Sequence, residues 1–191
     1  MLRVLVTGAG GFIGRHLCDK LISEGCEVRG LFLPEEPAGA LERIGVEVWR
    51  GDLTKPETLK GIAEGVDIVF HLAARVSYWG RKKLFFEVTV DGTRNLLQEC
   101  TRVKRLVYFS SIAAYGVGRH MKGFTEDEEL VKTGIPYGDS KIEAEKIVRE
   151  FHERKGVEYT ILRPSNVTGP GSVWVRDVLD VLDAYSRRAV T

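Results

Sequence analysis

Cysteine is scarce in this chain, and the few cysteines show no organisation. There are three of them, Cys18, Cys26 and Cys100, an odd number without the spacing of a metal site. They fit buried thiols in a reducing compartment, which argues against a disulfide-stabilised secreted domain. The sequence therefore favours a cytoplasmic protein.

Long apolar runs are also missing. A membrane-spanning helix needs about 18–20 consecutive apolar residues, and the sequence contains no such run. The N-terminus enters a strand pattern at once, without the charged and apolar regions of a signal peptide. We therefore expect neither a membrane segment nor a membrane partner.

Neither sign of charge is in excess, because 28 lysines and arginines face 27 acidic residues and the net charge is +1. Nucleic acids and anionic membranes attract proteins through clustered basic residues, whereas the basic groups at 81–83 and 102–105 are short and scattered. We interpret both groups as solvated surface and expect no nucleic-acid partner. The four histidines lack ligand spacing, so no metal site is expected, and we interpret His71 as a packing residue at the end of a strand.

Glycines dominate the stretch that is present instead, residues 4–14, which reads VLVTGAGGFIG. A short apolar run ends in Thr7, and helical spacing follows the glycines. Gly8 allows a sharp turn, Gly11 lets a diphosphate approach the backbone, and Gly14 lets the helix pack close to the sheet. Free N–H groups at the start of the helix attract phosphate. The spacing is GxxGxxG and predicts a dinucleotide site, although an ordinary strand–helix turn is the alternative.

Apolar strand patterns alternate with helical patterns along the rest of the chain. This alternation predicts a Rossmann-type, doubly wound parallel sheet with helices on both faces. The predicted strands cover residues 2–7, 27–33, 46–49, 67–72, 105–110 and 159–163. The predicted helices cover residues 12–24, 54–65, 84–100, 137–154 and 173–187.

The stretch 116–136 has no clear period, and loops of that length in compact domains are usually functional. The pattern predicts an NAD(P)-binding domain over 1–171 and the start of a truncated substrate-binding region over 172–191. The ending resembles a cut, so we expect the C-terminal substrate domain to be largely absent.

Tyr137 and Lys141 lie four residues apart on a predicted helix and therefore share one face. A lysine ammonium beside a tyrosine favours the phenolate and lowers its pKa toward the working range of an acid–base catalyst. Ser110 and Ser111 end the fifth predicted strand, where a hydroxyl could hold a substrate oxygen. The pattern indicates acid–base chemistry on a carbonyl or alcohol oxygen, with a purely structural pair as the alternative.

Three motifs together resemble a known family. TGAGGFIG at 7–14, FSSIAAYG at 109–116 and YGDSK at 137–141 resemble the extended short-chain dehydrogenase/reductases of the NAD-dependent epimerase/dehydratase group. The resemblance runs in the right order from residue 2 to about residue 187.

The resemblance implies a role for each matching residue. The catalytic residues would be Ser111, Tyr137 and Lys141, with Tyr137 as the acid–base and Lys141 also binding the nicotinamide ribose. Ser111 and Asn166 would contact substrate. The cofactor-binding residues would be Gly8, Gly11, Phe12, Ile13, Asp52, Leu53, Leu72, Ala73, Ala74, Tyr137, Lys141 and Pro164.

Two positions depart from the family pattern. Thr89 stands where the family usually has an asparagine, and it lacks the paired hydrogen bonds of an amide. The second predicted strand ends in Leu33 without the acid of NAD users or the arginine of NADP users. The cofactor is therefore NAD or NADP. Glu35 or Glu36 could reach the ribose, but solvated side chains are the expectation for both.

Three functional hypotheses stay open. The leading one is a sugar epimerase or dehydrogenase acting on a nucleotide-sugar, because Asn166 lies where such members place an asparagine against the sugar diphosphate. Ile112 and Ala113 after Ser111 argue against dehydration. The alternatives are a carbonyl reductase resembling dihydroflavonol reductases or hydroxysteroid dehydrogenases, and a non-catalytic cofactor-binding module. Tyr78 and Trp79 could line a substrate pocket or pack locally. By analogy, a homodimer is expected.

Overall fold

A single parallel sheet of six strands forms the centre of the protein. The computed structural model describes residues 1–77 and 79–172, together with 175, 179, 180 and 182. The strand order is β3-β2-β1-β4-β5-β6, so the chain reverses its winding direction between β1 and β4. The strands are β1 Arg3–Thr7, β2 Glu27–Phe32, β3 Glu47–Arg50, β4 Ile68–His71, β5 Arg105–Phe109 and β6 Glu158–Leu162.

Helices cover both faces of the sheet. They are α1 Phe12–Ser23, α2 Gly39–Glu42, α3 Lys82–Phe85, α4 Gly92–Glu99 and α5 Pro136–Lys155. One apolar cluster joins the sheet to α4 and α5 through residues such as Leu96 and Val148. The second joins it to α1 and α2 through Cys18 and Leu41. This confirms the predicted doubly wound sheet.

The strand β1 is central, and its sequence explains why. Val4, Leu5 and Val6 are fully buried, and β1 pairs with β2 on one side and β4 on the other. A strand covered on both faces needs a continuous apolar run, and the sequence supplies one. The reversal beside β1 opens a crevice at the carboxyl ends of the strands, where ligands bind in folds of this kind.

Two predicted helices differ from the structure. The helix predicted over 54–65 is only a 3-10 turn at Pro56–Leu59, because Gly61 adopts a φ of +81° and interrupts it. The helix predicted over 84–100 begins earlier, at Lys82, and widens into a π-turn at Phe86–Asp91 before α4.

The described residues include only part of the C-terminal region for which the sequence makes predictions. The helix predicted over 173–187 falls mostly outside the described residues. The domain boundary at 171 stays a prediction. Among the helices that the structure describes, each is too short or too polar to cross a bilayer.

The first helix lies unusually close to the turn that precedes it. At Gly14, a side chain would run into the carbonyl oxygen of Gly8 and lie 2.9 Å from the Cα of Ala9. The absence of a side chain is therefore what allows α1 to begin directly against the end of β1.

We expect Gly14→Ala to lower the free energy of unfolding by about 1–3 kcal/mol, because the methyl group must displace backbone atoms. Urea unfolding measures the change. The matched control is Gly39→Ala in α2, where the nearest atom to the new methyl group is 3.9 Å away. Equal stabilities for the two variants would contradict the close packing at Gly14.

Candidate cofactor-binding and active site

The glycine turn after β1 has the form of an anion site. Gly8 adopts a φ of +67°, which turns the chain sharply off the strand. Helix α1 then starts at Phe12 with Gly11 as its N-cap and no side-chain cap on its first amides. Unbonded N–H groups at a helix start bind phosphate oxygens. Gly8, Gly11, Phe12 and Ile13 lie at this turn, and their role in holding a diphosphate stays a prediction.

The turn is fastened to the segment that follows β4. Thr7 Oγ1 accepts a hydrogen bond of 3.1 Å from the backbone N–H of Ala73. A Cβ at Gly8 would lie 3.1 Å from the Cα of Ala73, so the two backbones touch. Leu72, Ala73 and Ala74 are all half-buried at this edge of the sheet. Their predicted position along the cofactor path is compatible with this arrangement.

Glu36 lies against the glycine turn, which differs from the solvated position expected for it. Its carboxylate accepts a 3.1 Å hydrogen bond from the N–H of Leu33 and packs on Gly10. Arg50 donates hydrogen bonds to the carbonyl oxygens of Leu33 and Glu36, which holds this tight turn in place. Glu35 is exposed, as expected. Glu36 lies four residues after Phe32, the last residue of β2, so its position in the sequence did not indicate a contact with the glycine turn.

The two residues predicted to meet the adenine lie after β3. Asp52 Oδ1 accepts hydrogen bonds from the N–H and hydroxyl of Thr54 at 2.9 and 2.8 Å. Leu53 is 5% exposed and belongs to the apolar core, and its carbonyl accepts a hydrogen bond from Asn95. The Leu53 side chain therefore packs inward, and the adenine contacts of both residues stay predictions.

The three predicted catalytic side chains come together at the end of β5. Ser111 caps the 3-10 turn Ile112–Tyr115, with Ala113 N–H donating to its Oγ at 3.2 Å. Helix α5 packs against this turn and brings Tyr137 close enough to Ser111 for the serine to lower the pKa of the tyrosine. Lys141 follows one turn later and donates a 2.6 Å hydrogen bond to the carbonyl oxygen of Phe109.

The electrostatics of this group differ from the sequence-based expectation. Burial raises the pKa of Tyr137, and the hydrogen bond with Ser111 only partly offsets this. Burial lowers the pKa of Lys141 to about 7, against the opposing charge of Glu145. Lys141 therefore has a lowered pKa and donates its hydrogen bond to Phe109, and its predicted effect on the pKa of Tyr137 stays a prediction. The protein's own side chains leave Tyr137 protonated at neutral pH.

Two hydroxyl groups beneath the catalytic residues are buried without a hydrogen-bond partner among the described residues. They are Tyr108 OH and Ser110 Oγ. Ser110 is 4% exposed and lies directly before Ser111. Buried polar groups are normally paired. Together with the open helix start and the bare glycine turn, an unpaired hydroxyl at this point fits a site that binds a polar ligand such as a dinucleotide.

The segment after β6 links the two ends of the site. The carbonyl oxygen of Pro164 accepts a 3.2 Å hydrogen bond from Ile112 N–H, next to Ser111. Farther along, the carbonyl oxygen of Pro170 accepts hydrogen bonds of 3.1 Å from Arg15 and His16 in α1. Asn166 lies between these two attachments and is exposed. Pro164 and Asn166 thus lie in the segment that joins the end of β6 to helix α1, and their ligand contacts stay predictions.

A buried ion pair supports this region, and sequence reasoning missed it. Glu145 is fully buried, and Arg163 donates two hydrogen bonds to its carboxylate at 2.9 and 2.7 Å. Arg163 also donates to Tyr115 OH and to the carbonyl oxygen of Glu126. The pair therefore joins α5, β6 and the long loop 116–135. The spacing Lys141–Glu145 on one helix face was the available signal.

The position where the family usually has an asparagine is also resolved. Thr89 is 1% exposed within the π-turn, and its hydroxyl accepts a 3.2 Å hydrogen bond from Arg75 N–H. His71 is fully buried at the end of β4, but it is not merely a packing residue. Both of its ring nitrogens make hydrogen bonds, to Thr7 Oγ1 at 2.7 Å and to Thr93 Oγ1 at 2.9 Å. Tyr78 lies outside the described residues, and Trp79 is 88% exposed.

Comparison with known proteins agrees with this geometry. The family described as NAD dependent epimerase/dehydratase matches residues 4–190. The chain belongs to the NAD-dependent epimerase/dehydratase family. The resemblance found in the sequence is thus confirmed, and so is the prediction of a nicotinamide dinucleotide as the cofactor of the family.

Individual family members differ in what they act on. The chain is 33% identical over 178 residues to the 2-alkyl-3-oxoalkanoate reductase of Shewanella oneidensis, covering 86% of this chain and 44% of that one. Its fold matches the UDP-glucose 4-epimerase of Thermotoga maritima with a TM-score of 0.81, at 30% identity over 88% of this chain and 57% of that one.

A second epimerase structure contains the cofactor. It is the UDP-glucuronic acid 4-epimerase of Bacillus cereus in complex with NAD, with a TM-score of 0.76 and 27% identity. The match covers 88% of this chain and 58% of that one. The chain therefore spans about half the length of these relatives.

We expect the buried lysine to make stability depend on pH. The ordinary Lys141 pKa of 10.5 falls to about 7 in the folded protein, so between these values the unfolded chain binds more protons. The free energy of unfolding of wild type should therefore rise with pH relative to Lys141→Met, by up to about 1.4 kcal/mol per pH unit. Urea unfolding at pH values from about 7 to about 10 measures this rise in the free energy of unfolding.

The matched control is Lys146→Met, which removes an exposed lysine from the same helix. Its stability should follow the wild-type pH curve. Parallel curves for wild type and Lys141→Met would contradict the burial of a lysine with a lowered pKa.

Proposed function

We propose that this family member is an NAD-dependent oxidoreductase that interconverts a secondary alcohol and a ketone, with Tyr137 as the acid–base. The observation that carries this proposal is the grouping of Ser111, Tyr137 and Lys141 at the same edge of the sheet as the glycine turn. A bound NAD would accept or return the hydride.

Ser111 and Tyr137 have different roles in the proposed reaction. Ser111 is placed to hydrogen-bond the substrate oxygen and hold it beside the tyrosine. In the reduction direction, the phenol of Tyr137 donates its proton to the carbonyl oxygen as the carbon receives hydride. In the oxidation direction, the phenolate takes the hydroxyl proton. The raised pKa of Tyr137 keeps it protonated at neutral pH, so the protein alone is prepared for the reduction direction.

We propose a nucleotide-sugar as the substrate class. Asn166 supports it, because this exposed amide lies in the segment between β6 and α1 and makes no side-chain hydrogen bond among the described residues. The UDP-sugar 4-epimerases with the same fold point in the same direction. The second candidate is a carbonyl reductase, which is favoured by the protonated Tyr137 and by the similarity to the 2-alkyl-3-oxoalkanoate reductase.

Tyr137→Phe should lower turnover by about 100-fold or more, because it removes the proton that the reaction needs. NAD affinity should change little. Turnover is measured with two panels: UDP-sugars followed by chromatography, and β-keto acids and apolar ketones followed by NADH fluorescence. The panel that wild type converts identifies the substrate class.

The matched control is Tyr159→Phe in β6, which removes a hydroxyl whose hydrogen bond, among the described residues, is to the side chain of Arg149. It should leave turnover unchanged. Full turnover by Tyr137→Phe would eliminate the mechanism. Tight NAD binding without conversion of either panel would favour the non-catalytic module.

We also propose that Glu36 selects NAD over NADP. Its carboxylate packs on the glycine turn after β1, where an adenosine ribose lies in dinucleotide-binding folds. A carboxylate accepts hydrogen bonds from a ribose hydroxyl but repels a 2′-phosphate.

Glu36→Gln should narrow the preference for NADH over NADPH by about tenfold, because it removes one close charge repulsion. Calorimetric titration with each cofactor measures the ratio. Glu35→Gln is the control, since Glu35 is the exposed neighbour. An unchanged ratio in Glu36→Gln would assign the discrimination to other residues.

A further inference from the structure

A row of polar and aromatic side chains crosses the sheet beneath the crevice. Thr7, His71 and Tyr108 are direct neighbours in the register of β1, β4 and β5. The ring centroids of His71 and Tyr108 are 5.5 Å apart, and Lys141 Nζ lies 5.1 Å from the Tyr108 ring centroid. The row therefore runs from the glycine turn to the catalytic lysine, with His71 at its centre.

The hydrogen bonds fix the direction of every proton around His71. The hydroxyl of Thr93 donates to the carbonyl oxygen of Thr89 at 2.6 Å, so it can only accept from His71 Nε2. The Thr93 bond thus requires a proton on Nε2, and a neutral imidazole then has an unprotonated Nδ1. That nitrogen accepts the proton of the Thr7 hydroxyl, whose oxygen accepts from Ala73 N–H.

Burial reinforces this neutral form. Burial first, and then the nearby charge of Lys141, lower the pKa of His71 to about 3. A proton on Nδ1 would leave the Thr7 hydroxyl without the acceptor it has in the structure. His71 therefore accepts a hydrogen bond from Thr7 on the side of the glycine turn and donates one to Thr93 on the side of α4.

We propose that His71, locked in the Nε2-protonated tautomer, is a positioning residue that fixes the cofactor-binding turn at Thr7–Gly8 and ties it to Thr93 at the start of α4. When Thr7 donates its proton to Nδ1, the hydroxyl is fixed with a lone pair toward the N–H of Ala73, and this bond holds the turn against the segment after β4. On the other side, Thr89 bonds Arg75 in the same segment. His71 thereby secures this segment from both ends.

The first test is spectroscopic and needs no cofactor. Ring ¹⁵N chemical shifts of His71 should show a protonated Nε2 and an unprotonated Nδ1 at neutral pH, unchanged down to about pH 5. An imidazolium, or the Nδ1-protonated tautomer, would refute the proposal.

The second test separates positioning from packing, and it rests on NAD binding at the proposed site. In His71→Asn, the amide oxygen replaces Nδ1 and still accepts from Thr7. In His71→Gln, the amide nitrogen replaces Nε2 and the acceptor for Thr7 is lost. We expect NAD affinity to fall by about tenfold in His71→Gln and by less than about threefold in His71→Asn, measured by calorimetric titration.

Thr7 supplies the matched pair on the other side of the bond. Thr7→Ser keeps the hydroxyl and should bind NAD like wild type, whereas Thr7→Val should lose about tenfold. Thermal unfolding checks whether the His71 variants fold. If they do not, the difference in NAD affinity between the two Thr7 variants tests the positioning role.

Equal affinity losses within each pair would reduce His71 to a packing residue and overturn the proposal. If wild type itself does not bind NAD, the proposed function fails and this proposal fails with it. If wild type binds NAD and the pairs do not split, only the positioning role is lost.

Discussion

The contact between helix α1 and the end of β1 is the constraint on which the rest of the site depends. The helix can start where it does only because Gly14 has no side chain to meet the Gly8 carbonyl oxygen. That start aims the first-turn amides at the crevice beside the strand reversal. The segments after β2, β4 and β6 then lie against this turn through Glu36, Ala73 and Gly169.

A second constraint holds the catalytic end. Glu145 and Arg163 form a buried ion pair that joins α5 to β6 and to the loop 116–135. Breaking such a pair leaves an uncompensated buried charge, so the loss of either member would be strongly destabilising. The loop 116–135 is therefore attached to α5 and β6 through this ion pair as well as by its own turns. The same carboxylate opposes the loss of charge at Lys141.

The sequence predicts much of the fold because the central strands carry unbroken apolar runs. The apolar run Val4–Val6 predicts a strand buried on both faces, and the spacing of the glycines predicts the turn after it. The sequence also brings Ser111, Tyr137 and Lys141 to one edge through strand ends and helical spacing. Their catalytic roles, like the contacts of Asp52, Leu53 and Pro164, stay predictions.

Other features could not be predicted, because they depend on where side chains meet in three dimensions. The positive φ of Gly61 interrupts the helix that the pattern over 54–65 predicts. The position of Glu36 depends on a tight turn held by Arg50, from a different strand. The charge of Lys141 depends on its burial, which sequence spacing does not report. His71 looked like packing because its partners, Thr7 and Thr93, are distant in the chain.

The π-turn at Phe86–Asp91 has a further geometric consequence. A π-turn accommodates one more residue than an α-helical turn, and each residue rotates the helix by about 100°. The π-turn therefore determines in which direction the side chains of α4 point. Leu96 and Leu97 point into the core, and Thr93 points to His71. Removing one residue there would regularise the backbone, yet it would turn these side chains away from the sheet. The π-turn thus allows one continuous helical segment to place Thr93 against His71 and, at the same time, Leu96 and Leu97 in the apolar core.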